Sequence, residues 1–208
     1  NSIGNYIVKL TVRNNQTNCE DTYYDTVYVS AGLPNFNVSD TVVCRDNEVQ
    51  FFNNSTTSNS NPTYIWEFGA DASPSNFTGD TPPPVSYSNN GEKTIKLTLF
   101  ESYGCIRTLE APAYISVRGP TPEFNWYSSN ADNGINCLNP LDSVKYVSTT
   151  SNTYNKSPNI SYTWDFGIDA NPQNITSTNE DTISVLYSSS GYKNTSLTVE
   201  DSSACTFT

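Results

Sequence analysis

The chain has 208 residues, of which 35 % are hydrophobic, and it contains twelve Pro, ten Gly and no His. Ten Lys and Arg stand against 21 Asp and Glu, so the net charge is −11, which argues against nucleic-acid binding because phosphate contacts need clustered basic side chains. The lack of His removes Ser-His-Asp and Cys-His nucleophilic sites, and no apolar run approaches the roughly 20 residues of a membrane span. We therefore expect no enzymatic activity, no cofactor apart from weak calcium candidates, and no direct membrane insertion.

The first segment, residues 1–31, predicts two strands joined by a polar loop. Val8, Leu10 and Val12 alternate with polar residues, as in a strand with one apolar face, and residues 26–30 read as a second strand. A short linker containing Gly and Pro then marks a domain boundary. We interpret this segment, called the first copy, as the last two strands of a truncated repeat.

The second segment, residues 32–118, predicts a complete domain and is called the second copy. Its longest strand places Ile95, Leu97 and Leu99 on an inward face. Residues 70–84 contain four prolines and no clear alternation, which predicts an irregular loop. The predicted strands are 35–38, 41–44, 48–52, 63–68, 85–87, 93–100 and 113–117.

The third segment, residues 119–208, repeats this order without the last strand and is called the third copy. Trp126 stands where the second copy has Val38, which predicts an added contact in the core or between domains. The predicted strands are 143–147, 160–166, 182–187 and 193–200.

Two six-residue stretches carry the repeat most clearly. Residues 64–69 read Tyr-Ile-Trp-Glu-Phe-Gly, and residues 162–167 read Tyr-Thr-Trp-Asp-Phe-Gly. Aromatic residues at every second position predict half-buried strands, with Trp66 and Trp164 at the centres of two cores. Short strands around an inward Trp predict β-sandwiches, so the expected fold is all-β with tandem sandwiches arranged as a rod.

A glycine followed by a cysteine recurs in all three copies at a nearly constant separation. The steps are 15 residues from Gly4 to Cys19, 14 from Gly91 to Cys105 and 14 from Gly191 to Cys205. Because Cys44 and Cys137 come early in the second and third copies, we predict the disulfides Cys44–Cys105 and Cys137–Cys205, and we expect Cys19 to pair with a cysteine outside the segment. Disulfides indicate an extracellular location, whereas metal ligation would need a CxxC pair or His.

These motifs resemble the PKD domain, an immunoglobulin-like module with a Trp-Asp-Phe-Gly segment, a Tyr-x-x-x-Gly turn and a Val/Leu-Thr-Val strand. Residues 164–167 match the first motif, and residues 66–69 match it with Glu in place of Asp. The usual Asp-Gly that follows is replaced in both copies. With its paired cysteines and Asn-, Ser- and Thr-rich loops, the chain is also similar to PKD arrays of Bacteroidota cell-surface proteins, including the SprB-like gliding-motility adhesins exported by the type IX secretion system.

This resemblance implies the stalk of a large adhesin on the cell surface. Its expected partners are neighbouring repeats of the same chain, surface polysaccharide or other cell-surface proteins, and not nucleic acid. The alternative is a PKD spacer or carbohydrate-binding accessory module of a secreted protease or polysaccharide hydrolase. The flanking chain distinguishes the two, because an adhesin needs many further copies and an enzyme needs a catalytic domain.

Three kinds of site remain as weak candidates in the sequence. Oxygen-rich turns at Asp71, Asp169 and Asp132 are candidate calcium ligands, although none has the spacing of a calcium loop. Exposed aromatic residues are candidates for a sugar platform: Tyr23, Tyr24, Tyr103, Tyr127 and Tyr154. Asp-Ser/Thr-aliphatic triplets resemble the O-glycosylation acceptor of Bacteroidota, or arise by chance at strand entries: Thr26, Thr41, Ser143 and Thr182.

Overall fold

The computed structural model describes residues 3–57, 60–128, 142–151, 158–179 and 182–208. Within these residues the chain is all-β, with one short 3-10 turn at Ser102–Gly104 and no α-helix. It divides into two compact units. Unit 1 comprises Asn1–Thr41, Glu48–Ser88 and Glu92–Ile115, and unit 2 comprises Val42–Asn47, Asn89–Gly91 and Ser116–Thr208.

The first copy forms an antiparallel hairpin of β1 (Gly4–Arg13) and β2 (Glu20–Val29). Both predicted strands are present, but β2 begins earlier than predicted. The apolar side chains of β1 are exposed to solvent. Leu10 is 59 % exposed, whereas the equivalent Leu97 of the second copy is fully buried. The first copy therefore has the strand pair of a sandwich without a second layer over it among the described residues.

The second copy contains a strand at each of the seven predicted places and two additional short strands. Its strands are β3 (Phe36–Val38), β4 (Val42–Cys44), β5 (Phe51–Asn53), β6 (Thr63–Glu67), β7 (Ala72–Ser73), β8 (Asn76–Thr78), β9 (Ser86–Tyr87), β10 (Gly91–Phe100) and β11 (Ile106–Arg118). The prediction of an irregular loop at 70–84 was wrong, since β7 and β8 lie in it. Strands of two or three residues are too short to show an alternating pattern.

Unit 1 has two packed layers. One layer has the order β11-β10-β6-β8, and the other contains the pairs β3-β5 and β7-β9, connected by a bridge between Val49 and Val85. Trp66 on β6 is fully buried and meets the rings of Phe36 and Phe51 from the facing layer, with centroids 5.6 and 6.0 Å away. The predicted role of Trp66 as a core residue is confirmed.

Unit 2 repeats these layers with the strands of the third copy. Its strands are β12 (Phe124–Ser128), β13 (Val144–Ser148), β14 (Asn159–Asp165), β15 (Ala170–Asn171), β16 (Asn174–Ser177), β17 (Ile183–Tyr187), β18 (Ser196–Asp201) and β19 (Thr206–Phe207). The two layers have the orders β12-β13-β17-β15 and β16-β14-β18-β19. Trp164 is 1 % exposed and packs between Phe124 and Phe166, which confirms it as a core residue.

The predicted cysteine pairing was wrong. Cys44 forms a disulfide with Cys205, and Cys105 carries a free thiol. In the β4–β11 register Cys44 lies opposite Arg118, at the far end of the 13-residue strand that begins just after Cys105. A strand rises about 3.3 Å per residue and a disulfide needs Cα atoms within about 7 Å, so Cys44 cannot reach Cys105.

The other two cysteine predictions stand differently. The bond from Cys205 to Cys44 also excludes the predicted Cys137–Cys205 pair, while Cys137 itself lies outside the described residues. Cys19 is free and exposed, so its expected pairing with a cysteine outside the segment stays a prediction.

Candidate functional site

The calcium candidates lie in lysine-paired carboxylate turns. The carboxylate of Asp71 forms an ion pair with the ammonium group of Lys93, which also lies 5.5 Å from the ring centroid of Tyr87. In the third copy, Asp169 lies 3.6 Å from Lys193. Asp132 lies outside the described residues.

These turns share a backbone hydrogen bond in both copies. The backbone oxygen of Asp71 accepts a hydrogen bond from the Ser88 amide, and that of Asp169 accepts one from the Ser188 amide. A paired ammonium group opposes a divalent cation at the same carboxylate. The described residues contain no group of three or more His, Cys, Asp and Glu side chains placed to hold a metal ion. The arrangement is that of a structural ion pair.

Unit 2 contains an aromatic cleft with a volume of about 570 Å³. It lies between β12, β13 and β17 on one side and the segment preceding β18 on the other. Its lining residues are Phe124, Trp126, Val144, Tyr146, Tyr187, Gly191, Tyr192, Lys193, Asn194 and Thr195. This size suits a small organic ligand, since ligand pockets commonly enclose about 300–1,000 Å³.

Hydroxyl groups line the inner part of the cleft. The Oη atoms of Tyr146 and Tyr187 lie 2.8 Å apart, and Thr195 Oγ1 donates a hydrogen bond of 3.3 Å to Tyr146 Oη. Burial raises the pKa of Tyr146 to about 12, although its hydrogen bond with Thr195 works in the opposite direction. At neutral pH the Tyr146 hydroxyl is therefore an uncharged donor and acceptor.

A cation and two aromatic rings complete the cleft. Lys193 Nζ lies 5.3 Å from the ring centroid of Tyr187 and donates a 2.8 Å hydrogen bond to Ser189 Oγ. At the rim, Trp126 is 42 % exposed and Tyr192 is fully exposed. Trp126 is therefore not a core residue, and the expected core contact was wrong, whereas the alternative of a contact between domains stays a prediction.

The cleft arises from differences between the copies. Inward Ile95 of the second copy is fully buried, whereas the third copy has Thr195 at that position, which removes an apolar anchor. The strand accordingly begins at Ser196, whereas β10 begins five positions earlier in the alignment, at Gly91. The prediction of a strand over 193–200 was therefore wrong at its start.

Two further differences make the cleft aromatic and polar. Tyr146 replaces buried Phe51 and supplies a hydroxyl group, and Trp126 replaces Val38. Neither residue was assigned to a site from the sequence, although Trp126 was noted. The available signal was the set of positions at which the aligned copies differ in polarity or size.

Three of the five tyrosines proposed as a sugar platform, Tyr23, Tyr24 and Tyr127, do not line this cleft. Tyr23, Tyr24 and Tyr127 are exposed, by 67 %, 59 % and 46 %. Tyr23 lies opposite Leu10 in the β1–β2 hairpin, and Tyr24 lies opposite Lys9. The side chain of Tyr103 and the whole of Tyr154 lie outside the described part of the chain.

The O-glycosylation candidates lie at or near strand starts, with one exception. Thr41, Ser143 and Thr182 directly precede β4, β13 and β17, and Ser143 is half-buried. Thr26 lies inside β2, opposite Ile7, and is exposed. The hydroxyls of Thr26, Thr41 and Thr182 are thus open to modification, which stays a prediction.

Two comparisons with known proteins find no match for this chain. No protein-family model matches it, and no curated protein matches it significantly. No helix in the described residues is long and apolar enough to cross a membrane.

Proposed function

We propose that the chain is a non-catalytic repeat segment in the stalk of a large bacterial cell-surface adhesin, of the kind used in gliding motility. PKD-like sandwiches in tandem form an extended rod outside the cell, carry force along it and hold a binding tip away from the surface. Short Pro-containing linkers limit the bending between copies. The acidic surface keeps such rods soluble.

The observation that carries this proposal is a side-chain contact that recurs in all three copies. In each copy one threonine hydroxyl from each arm of the last hairpin lies within hydrogen-bond distance of the other. The pairs are Thr11–Thr22 at 3.4 Å, Thr98–Thr108 at 3.1 Å and Thr198–Thr208 at 2.8 Å. Repetition at the level of single contacts supports a chain whose copies serve the same mechanical purpose.

The test is the size and exposure of the parent protein. Intact cells that produce it are labelled with a membrane-impermeant reagent, and the labelled chain is sized on a non-reducing gel and sequenced by its peptides. We expect a surface-labelled chain of several hundred kDa with many further Trp-Asp-Phe-Gly peptides. A released chain of ordinary size with a catalytic domain beside these copies would sink the proposal.

The aromatic cleft of unit 2 favours a second candidate, a carbohydrate-binding accessory module. Sugars present apolar ring faces that stack on aromatic side chains, and hydroxyl groups that pair with uncharged donors and acceptors. Trp126 and Tyr192 offer exposed rings, and Tyr146, Tyr187 and Thr195 offer hydroxyl groups. This function is compatible with a stalk and with an enzyme accessory domain.

A binding assay on the full chain tests the second candidate. Titration with soluble oligosaccharides, followed by tryptophan fluorescence, should detect binding that Trp126→Ala removes. Tyr127→Ala is the matched control, because Tyr127 is the next residue of β12, points to the opposite face and does not line the cleft. No binding, or equal loss in both variants, would contradict a sugar site in the cleft.

A further inference from the structure

The late cysteines of the three copies occupy the same structural position. In each copy a backbone N–H at the end of the strand before the cysteine, or directly after that end, donates a hydrogen bond to the cysteine carbonyl. The bonds run from Asn14 to Cys19 (2.8 Å), from Glu101 to Cys105 (2.8 Å) and from Asp201 to Cys205 (3.1 Å). Because the backbone positions are equivalent, the disulfide partner of Cys205 indicates which kind of partner Cys19 and Cys105 can take.

Cys205 is bonded to a cysteine from the preceding copy in the sequence. Its partner, Cys44, is the early cysteine of the second copy, whereas Cys205 is the late cysteine of the third. Both belong to unit 2, because the segment Val42–Asn47 clusters with Ser116–Thr208. The bond therefore connects consecutive copies and not two ends of one copy.

Several contacts in unit 2 hold the segment Val42–Asn47 beside the hairpin of β18 and β19. The β4 strand pairs in parallel with residues 116–118 of β11, and the Arg45 amide donates a 2.7 Å hydrogen bond to the Arg118 carbonyl. The guanidinium group of Arg45 lies 4.3 Å from the ring centroid of Phe207, two residues after Cys205. Cys44 is thus brought to Cys205 by neighbours on both sides.

The linker before each copy meets the late hairpin of that copy in both units. In unit 2, Gly119 lies against the Phe207 ring so closely that a Cβ atom at Gly119 would clash with it. In unit 1, linker residue Gly32 lies equally close to the side chain of Glu101, whose amide binds the Cys105 carbonyl. In both units the linker therefore lies against the late hairpin, next to Phe207 in unit 2 and next to Glu101 in unit 1.

We infer that the disulfides of this repeat join consecutive copies, the early cysteine of each copy to the late cysteine of the copy that follows. Cys105 then receives the early cysteine of the copy before it, and Cys19 receives that of the copy one step earlier. By the same rule, Cys137 pairs with the late cysteine of a following copy. This rule accounts for the free Cys19 and Cys105 and for the odd number of cysteines.

Each bond forms by an ordinary oxidation. Two thiols each lose one proton and one electron as their sulfur atoms join. The two protons and two electrons convert the disulfide of an extracytoplasmic oxidoreductase, which is the required co-reactant, into a dithiol by thiol–disulfide exchange. The inference does not depend on the stalk proposal, since the same linkage applies to copies beside an enzyme.

Alkylation of the 208-residue chain is the first test. The chain is oxidised, alkylated without reduction, digested and mapped by mass spectrometry. Linkage between copies predicts one disulfide, Cys44–Cys205, and three alkylated cysteines. Linkage within copies predicts two disulfides and only Cys19 alkylated, and this outcome would overturn the inference.

Two variants separate the alternatives further, even if the wild-type chain oxidises incompletely. In Cys205→Ser we expect Cys44 and Cys105 both to be alkylated, because the β4–β11 register keeps Cys44 away from Cys105. In Cys44→Ser we expect Cys205 to be alkylated and not joined to Cys137. A new Cys44–Cys105 bond in the first variant, or a Cys137–Cys205 bond in the second, contradicts linkage between copies.

The decisive map is that of the parent protein purified from its own cells. Peptides joined to the Cys105 peptide are sequenced without prior reduction. We expect an early-cysteine peptide of a copy that lies before residue 1. An alkylated Cys105, or a Cys105 joined to any cysteine of these 208 residues, would overturn the inference and leave the stalk proposal untouched.

Discussion

The tyrosine of the Tyr-x-x-x-Gly motif has different surroundings in the second and third copies. Tyr187 Oη lies 2.8 Å from Tyr146 Oη. The equivalent Tyr87 is 1 % exposed, and its Oη has no hydrogen-bond partner among the described residues, because Phe51 replaces Tyr146. A buried polar group without a partner lowers the free energy of unfolding by about 1–3 kcal/mol. The hydroxyl group of Tyr87 therefore destabilises its sandwich, whereas that of Tyr187 stabilises its own.

The same substitution should therefore change stability in opposite directions. Tyr87→Phe removes an unpaired hydroxyl, and we expect it to raise the free energy of unfolding of unit 1 by about 1 kcal/mol. Tyr187→Phe removes a hydrogen bond, and we expect a decrease of about 1 kcal/mol in unit 2. Native-state hydrogen exchange of β9 and β17 measures each effect in its own unit. Changes of the same sign would contradict this account.

Burial of Tyr146 predicts a loss of stability in alkali. Its pKa is raised to about 12 in the folded chain, from an ordinary value of 10.0. Above pH 10 the unfolded chain loses this proton first, so the stabilisation is complete below pH 10 and is lost between pH 10 and 12. Urea unfolding of unit 2 across this range should be less pH-dependent in Tyr146→Phe. An equal dependence in both proteins would show that Tyr146 does not contribute.

At the scale of elements, equivalent strands of the three copies, β1, β10 and β18, differ in whether a second layer of the sandwich packs on their apolar face. Leu10, Leu97 and Leu197 occupy equivalent positions, but Leu10 is 59 % exposed while the other two are 0 % and 2 % exposed. Burial of a leucine side chain against a second layer stabilises a fold, whereas an uncovered leucine contributes little. Comparison of the three strands therefore shows how much stability comes from packing against a second layer, because the leucine itself is the same in each.

Alanine substitution should reveal this difference directly. We expect Leu97→Ala to lower the free energy of unfolding of unit 1 by about 2–5 kcal/mol, because it leaves a cavity in the core. Leu197→Ala should do the same in unit 2, while Leu10→Ala should change stability by less than about 0.5 kcal/mol. Urea denaturation monitored by hydrogen exchange measures all three. A large effect of Leu10→Ala would mean that a second layer covers β1.

Strands long enough to show a period could be predicted from the sequence, and those set by tertiary contacts could not. Alternating aromatic residues identified β6 and β14, and alternating aliphatic residues identified β10. The two-residue β7 carries no period, and the loss of strand before Ser196 depends on an anchor missing at Thr195. The aromatic cleft was missed because it combines residues that are far apart in the chain.

At the scale of the whole molecule, the cysteine pairing shows what a repeated sequence does not reveal. Spacing places an early and a late cysteine in a copy, but it does not say whether they bond to each other or to cysteines of adjacent copies. The register of β4 on the end of β11 decides this, because it moves Cys44 away from Cys105. The pairing followed from strand partners that the sequence pattern did not specify.

The Cys44–Cys205 bond should stabilise unit 2 and leave unit 1 largely unchanged, because both cysteines belong to unit 2. A disulfide restricts the unfolded chain and typically contributes about 2–4 kcal/mol. We therefore expect Cys44→Ser to lower the free energy of opening, measured by hydrogen exchange in β14 and β18, by about 2–4 kcal/mol. The same quantity in β6 should change little. Cys105→Ser is the matched control and should alter neither, since Cys105 is free. If Cys105→Ser destabilised unit 1 by a similar amount under oxidising conditions, Cys105 would have to be bonded within the chain, and the pairing described here would be incorrect.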